Sequence, residues 1–148
     1  GKDNDFYIID PLDPKTNKLI TQVEGGGWGP LDWAPDDSKI LAIEYVSVNE
    51  SYLWLLDATS GEKKLITPKG GKEKVSYGGA IFSRDGKGLY VVTDKDSEFQ
   101  RLAYVDLVTM QPTYLTTDIK WDVEDIDLSD DGKNLAFVTN EDGTSVLH

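Results

Sequence analysis

Apolar positions in this chain come in short runs, and polar stretches of turn-forming residues separate them. Continuous apolar tetrads occupy 40–43 (Ile-Leu-Ala-Ile), 89–92 (Leu-Tyr-Val-Val) and 135–138 (Leu-Ala-Phe-Val), a pattern that predicts strands buried on both faces. Before each tetrad stands an anchor, Trp33, Phe82 or Leu128. A phrase built on that anchor recurs at 31–39, 80–88 and 126–134, roughly 50 residues apart, the mark of one supersecondary unit copied along the chain. A third run ends on an aspartate each time, at 7–10, 54–57 and 103–106, and a fourth ends on threonine at 19–21, 65–67 and 114–116.

Each unit therefore reads as four strands. The first carries the anchor (29–35, 76–83, 123–129). A tight turn of Asp, Gly, Ser and Lys leads to the apolar second strand; such side chains bond locally and tolerate left-handed backbone. Hairpin-sized connections at 11–17, 58–62 and 107–111 join the third strand to the fourth. No segment combines a 3.6-residue period with caps, so almost no helix is expected. The fold class is all-β: a β-propeller fragment of four-stranded antiparallel blades, with about three blades' worth of strands. The divisions fall at 1–24 (end of one blade), 25–68 (full blade), 72–117 (full blade) and 121–148 (start of a further blade). The single His148 and the reversed, unrepeated Asp32-Trp33 do not fit WD repeats. Gly78-Gly79, a doublet without a counterpart in register, does not fit kelch repeats.

The chain's 148 residues are enough for one domain with a core. Hydrophobic content of 39% with 4 Trp, 7 Tyr and 4 Phe argues against disorder. A net charge of −12 disfavours nucleic acid as a partner, because binding a phosphate backbone needs a Lys/Arg footprint. No apolar run is long enough to span a membrane as a helix, and no basic-then-apolar leader is seen, so no membrane partner is expected. The chain opens Gly1-Lys2 without Met, as a processed chain or a fragment would. With no cysteine the redox compartment is open, and thiolate metal sites and Cys-His catalysis are excluded. No cofactor or metal site is expected.

The phrases Trp-Ala-Pro-Asp-Asp-Ser-Lys (33–39), Phe-Ser-Arg-Asp-Gly-Lys (82–87) and Leu-Ser-Asp-Asp-Gly-Lys (128–133) resemble the WSPDGK-type blades of TolB-like propellers. Residues 93–102, 121–124, 138–143 and Leu147-His148 are similar to propellers of the prolyl oligopeptidase family, in its bacterial acylaminoacyl- and dipeptidyl-peptidase-like members. That resemblance implies a propeller over the mouth of an α/β-hydrolase domain, where it restricts passage to short peptides while the hydrolase supplies a Ser-Asp-His triad. The chain itself has no Gly-x-Ser-x-Gly elbow to expose a serine, and the triad maps onto none of its residues. No catalytic, cofactor-binding or metal residue is assigned, and the chain alone should neither cleave peptidyl substrates nor take a fluorophosphonate label.

Several residues are nonetheless of types that carry chemistry. Asp94, Asp96 and Glu98 alternate like ligands of a hard cation, but their loop lacks the glycine and the bidentate-Glu spacing of a calcium loop and reads as a solvated turn. Asp122, Glu124, Asp125 and Asp127 beside Trp121 could pair for acid–base work if one were buried; outward-pointing or capping carboxylates are expected instead. Ser97, Glu98, Phe99 and Arg101 lie where the resemblance places loops that shape an interdomain mouth. Glycines at 25–27 and 78–79 are read as close packing around the axis. Asp10, Asp57 and Asp106, repeating in one register, are expected to accept turn amides.

Three functions stay open: a gating propeller of a serine peptidase, partnered by a hydrolase domain and passing peptides; a TolB-like scaffold for protein–protein interaction; and a propeller enzyme with an axial site, for which this sequence has almost no His. Trp33, Phe82 and Leu128 are expected to be equivalent buried anchors. Counting two strands, two full blades and two closing strands, two copies are expected to pair into a six-bladed ring, their terminal strands completing shared blades.

Overall fold

The structure, a computed structural model, describes residues 3–148; the Gly1-Lys2 opening lies outside them. All regular structure among the described residues is β, in four antiparallel sheets, and no helix there is long and apolar enough to cross a membrane. The first sheet pairs β1 (Phe6–Asp10) with β2 (Asp13–Thr21). The second runs β3 (Trp28–Trp33), β4 (Lys39–Ser47), β5 (Glu50–Asp57), β6 (Lys63–Leu65) in spatial order. The third repeats it with β7 (Tyr77–Phe82), β8 (Gly88–Thr93), β9 (Arg101–Asp106) and β10 (Pro112–Tyr114). The fourth holds β11 (Asp122–Leu128), β12 (Leu135–Glu141) and β13 (Thr144–Leu147). This is the blade topology of a propeller, each sheet a meander from an inner strand outward.

The apolar tetrads are buried from both sides, as their lack of alternation demands. In β4, Leu41 faces the third blade and Ala42 the first, and both are 0% exposed. In β8, Leu89 and Val91 join the cluster shared with the second blade, and Val92 the one shared with the fourth. The core thus consists of three seams between blades, the largest between the second and third, where Phe82 packs in one cluster with Leu41, Leu53 and Leu55.

The repeated phrase forms one hairpin three times. Ser83 Oγ donates to Asp85 Oδ1 (2.6 Å) and accepts from the Gly88 N–H (3.0 Å), while the Lys87 N–H also bonds Asp85 (3.0 Å). Ser129, Asp131, Lys133 and Asn134 repeat this set. In the first copy Ala34 lacks the hydroxyl, and Ser38 bonds Asp36 through both N–H and Oγ. The turn needs one left-handed residue: Gly86 and Gly132 at φ 70°, and Asp37 at φ 60°, a conformation Asp tolerates through its short polar side chain.

Four expectations need correction. Trp33 is not a buried anchor: it is 44% exposed, against 3% for Phe82 and 5% for Leu128. Among the described residues the first sheet has strands only in the third and fourth places, so nothing corresponds to the inner strands against which Trp33 would pack. The fourth blade carries a third strand, β13, alongside β12, so the two-plus-two sharing of a blade between copies does not hold as stated. The stretch 11–17 is mostly strand: the turn is only Pro11-Leu12, tightened by the Leu12 N–H on Asp10 Oδ1 (2.8 Å). Finally, β6 and β10 end two residues before Thr67 and Thr116, because each threonine turns its hydroxyl inward. Thr67 Oγ1 accepts from the Leu53 N–H and Thr116 Oγ1 from the Leu102 N–H, both at 3.1 Å.

Candidate functional site

Strand polarity sorts the connections onto two faces. The anchor hairpins and the third-to-fourth-strand turns share one face. The second-to-third-strand loops and the blade crossovers share the other, where the chemistry-bearing residues gather. The β8–β9 loop is tied down at several points. Asp94 Oδ1 accepts the Ser76 N–H of the crossover (2.8 Å). Arg101 Nη2 donates to the carbonyls of Lys95 (2.8 Å) and Asp96 (3.2 Å), and its guanidinium lies 3.9 Å from the Tyr114 ring centroid, a cation–π stack. Lys95 Nζ bonds Asp96 Oδ2 at 2.7 Å. That contact holds the Asp96 carboxyl below its ordinary pKa and the Lys95 ammonium above its own.

Behind this clasp, between the second and third blades, lies a cavity of about 240 Å³ lined by Leu53, Ile66, Tyr77, Val91, Lys95 and Tyr114 among others. Burial pushes the Tyr77 hydroxyl up to about 12, so it stays protonated and able to donate. The cavity's lining is mostly apolar, with Lys95, Tyr77, Tyr114, Thr67, Thr93 and Gln111 as polar members, a mix that suits a small apolar or aromatic group.

The sequence-nominated residues fare unevenly. Asp94, Asp96 and Glu98 do not converge: the first two are spent on Ser76 and Lys95, and no cluster of three or more metal-ligating side chains exists among the described residues. On β11, Asp122 accepts the Gln100 N–H (2.8 Å), Glu124 accepts from Asn140 Nδ2 (3.1 Å), and all four carboxylate residues are exposed. No pair there is buried for proton transfer. Arg101 turns inward to the clasp, whereas Glu98 stays exposed and Ser97 and Phe99 half-buried. Close packing accounts for Gly27, where a Cβ would collide with the Tyr45 carbonyl, but not for Gly78 and Gly79, which lie within β7 beside a bulge and have room for a side chain. Asp10, Asp57 and Asp106 do accept turn amides: one from Leu12, two from Thr59 and Ser60, two from Val108 and Thr109. The roles of Tyr114, Lys95 and Tyr77 were missed. The local signal was slight, since Tyr114 sits in an ordinary edge strand and meets Arg101 only through the blade's curl.

No protein-family model matches the chain, and no curated relative does either. Solved structures do. TolB from Acinetobacter baumannii matches at TM-score 0.70 and 23% identity, over 91% of this chain and 32% of that one. A protein from Agrobacterium tumefaciens described as a TolB matches at 0.71 and 18%, over 91% and 45%. A structure from a study of two prolyl endopeptidases matches at 0.70 and 15%, over 91% and 20%. The fold is that of a β-propeller. The chain spans under half the length of each of these proteins, and the similarity reaches both TolB and prolyl oligopeptidase propellers.

Proposed function

We propose that this chain is the non-catalytic, access-restricting propeller portion of a prolyl oligopeptidase-like serine peptidase, whose α/β-hydrolase domain is outside this sequence. The observation that carries the reading is the tied-down β8–β9 loop, residues 94–100. Its sequence resembles the peptidase propellers, and its ties to Ser76, Arg101 and Tyr114, with Glu98 exposed beside half-buried Ser97 and Phe99, support a rim of fixed shape. The likeness in fold to a prolyl endopeptidase supports it, and so does the lack of any serine elbow. The partners in this reading are the hydrolase domain and the peptides that pass.

A second reading, a TolB-like scaffold for protein–protein interaction, is favoured by the higher identity to TolB, 23% against 15%. Reading the coding sequence beyond His148 separates the two. A hydrolase domain with Gly-x-Ser-x-Gly is expected; a further run of blades closing on a stop codon without that elbow overturns the peptidase assignment.

A further inference from the structure

The second and third blades are fastened at the inner strand of the third. Asp32 Oδ2 accepts the Phe82 N–H at 2.8 Å. Ser51, 1% exposed, accepts the Tyr77 N–H at 2.7 Å and donates to the Tyr77 carbonyl at 3.1 Å. The third blade holds the fourth through Arg84 instead, which donates from Nη2 to the Leu128 carbonyl (2.7 Å) and from Nε to the Ser129 carbonyl (3.1 Å). Farther out in the second-to-third seam, between residues 66–68 just past β6 and Pro112 and Tyr114 of β10, the blades part around the cavity of about 240 Å³. Its walls come from two complete blades, so its shape is set within residues 53–114 and by neither end of the chain.

The charge in this cavity runs against that of the molecule. The chain carries 27 Asp and Glu against 15 Lys and Arg, yet no carboxylate lines the cavity and Lys95 does. The acids nearby are committed elsewhere, Asp94 to the Ser76 N–H (2.8 Å) and Asp96 to Lys95 Nζ (2.7 Å). An ammonium has donors to spare beyond one such bond. Arg101 adds a second positive charge against the Tyr114 ring.

The cavity also holds donors in excess of acceptors. Tyr77 is 7% exposed and Thr67 9%, and both line it. Among the described residues no carbonyl or carboxylate takes the Tyr77 proton. The Thr93 hydroxyl beside it already gives its own proton to the Ser76 carbonyl (2.9 Å) and accepts the Lys95 N–H (3.2 Å). Because both neighbour Thr93, Tyr77 and Lys95 lie at one end of the cavity. Thr67 Oγ1 accepts from the Leu53 N–H, and its proton too has no acceptor among the described residues. Buried donors left unpaired are costly, so a guest that brings acceptor oxygens is favoured over a wholly apolar one.

We propose that this cavity binds a small carboxylic acid with an apolar, ring-sized body, its carboxylate received by Lys95 Nζ and the Tyr77 hydroxyl and its body held among Leu53, Ile66 and Val91. Drug-sized ligands occupy roughly 300–1,000 Å³; the smaller volume here admits a single ring or a branched chain of similar bulk. A neutral guest of the same shape leaves the Lys95 charge unanswered, so the acid is preferred to its amide. This inference does not rest on the peptidase reading, and its test involves no hydrolase domain.

Titration of the isotope-labelled protein with phenylacetate at neutral pH, followed in amide correlation spectra, tests it. Saturable shifts centred on Thr67, Tyr77, Val91 and Tyr114 are expected, with a dissociation constant of about 1 mM or below. Tyr77→Phe keeps the ring and Lys95→Met the apolar stem; each should raise that constant at least about five-fold. Tyr90→Phe, the same deletion on the opposite side of β8, should leave it unmoved. Phenylacetamide, which needs no variant, should bind at least about five-fold more weakly than the acid. Circular dichroism checks that the variants fold. Shifts that are absent or never saturate, an amide that binds as well as the acid, or a Tyr77→Phe or Lys95→Met protein that binds as tightly overturns the proposal.

Discussion

Asp57 shows how much of this fold rests on carboxylates that face solvent yet work on the backbone. Hydrogen bonds from the Ser60 and Thr59 amides hold its carboxyl near 2, and Asp36, Asp85, Asp106 and Asp131 are lowered by their own turn partners, chiefly Ser38, Ser83, Thr109 and Ser129. A depressed folded-state value means stability that is present above the ordinary carboxylate range and lost as pH falls through the folded value. Above the isoelectric point near 4.3, acidification also relieves the −12 self-repulsion, which masks the loss. Below it both effects act together. The melting temperature should therefore change little down to about pH 5 and fall steeply between about pH 4 and 2; a melting curve unchanged at pH 3 would remove these turns as contributors. The aspartate roles were legible beforehand because three copies in one register leave a shared backbone task as the economical reading.

At the scale of the element, strands one to three of the two full blades were legible, and strand four was legible in its place but not in its bounds. The anchor strands and apolar tetrads announce themselves through runs that only a two-sided burial explains. The fourth strands are three residues long in the full blades, too short for any period, and their threonines, read as strand, are locks on the neighbouring strand. Thr116 is 3% exposed and is the partner of a Leu102 N–H that water does not reach. Thr116→Val keeps the shape and orphans that amide, at a cost of about 1–3 kcal/mol, read as a shift in the urea midpoint. An unchanged midpoint would mean that the Leu102 amide finds another acceptor. β13 escaped notice because Thr-Ser-Val-Leu is brief and follows the Asp142-Gly143 turn, so only its pairing with β12 marks it as a strand. The clasp of Arg101 over Tyr114 joins residues from different strands, and strand patterning carries no information about which of them curl together.

For the whole molecule, the three seams differ in depth, and stability differs with them. Phe82 sits in the central seam at 3% exposure, so Phe82→Ala should cost about 3–5 kcal/mol, a large share of the roughly 5–15 kcal/mol typical of a domain. Trp33→Ala, at the same register position but 44% exposed, should cost well under half as much when the chain is monomeric. Differential scanning calorimetry on dilute protein compares the two; equal losses would mean that Trp33 is covered in solution. The sequence indicated equivalent anchors but not their unequal burial, because exposure at the ends of an arc depends on which neighbours are present.

The alternation of seam chemistry, carboxylate on amide and then guanidinium on carbonyl, has a consequence for how such a chain could arise and rearrange. Repeats made by duplication begin as interchangeable parts, and interchangeable parts can dock out of order during folding or recombine out of order in a gene. Here Asp32 fits only a neighbour that offers a free anchor amide, and Arg84 only one that offers free carbonyls at 128 and 129. Each of these two seams thus has its own fastening, and exchanging the second and third blades would preserve the repeated hairpins while moving the carboxylate and the guanidinium to new neighbours.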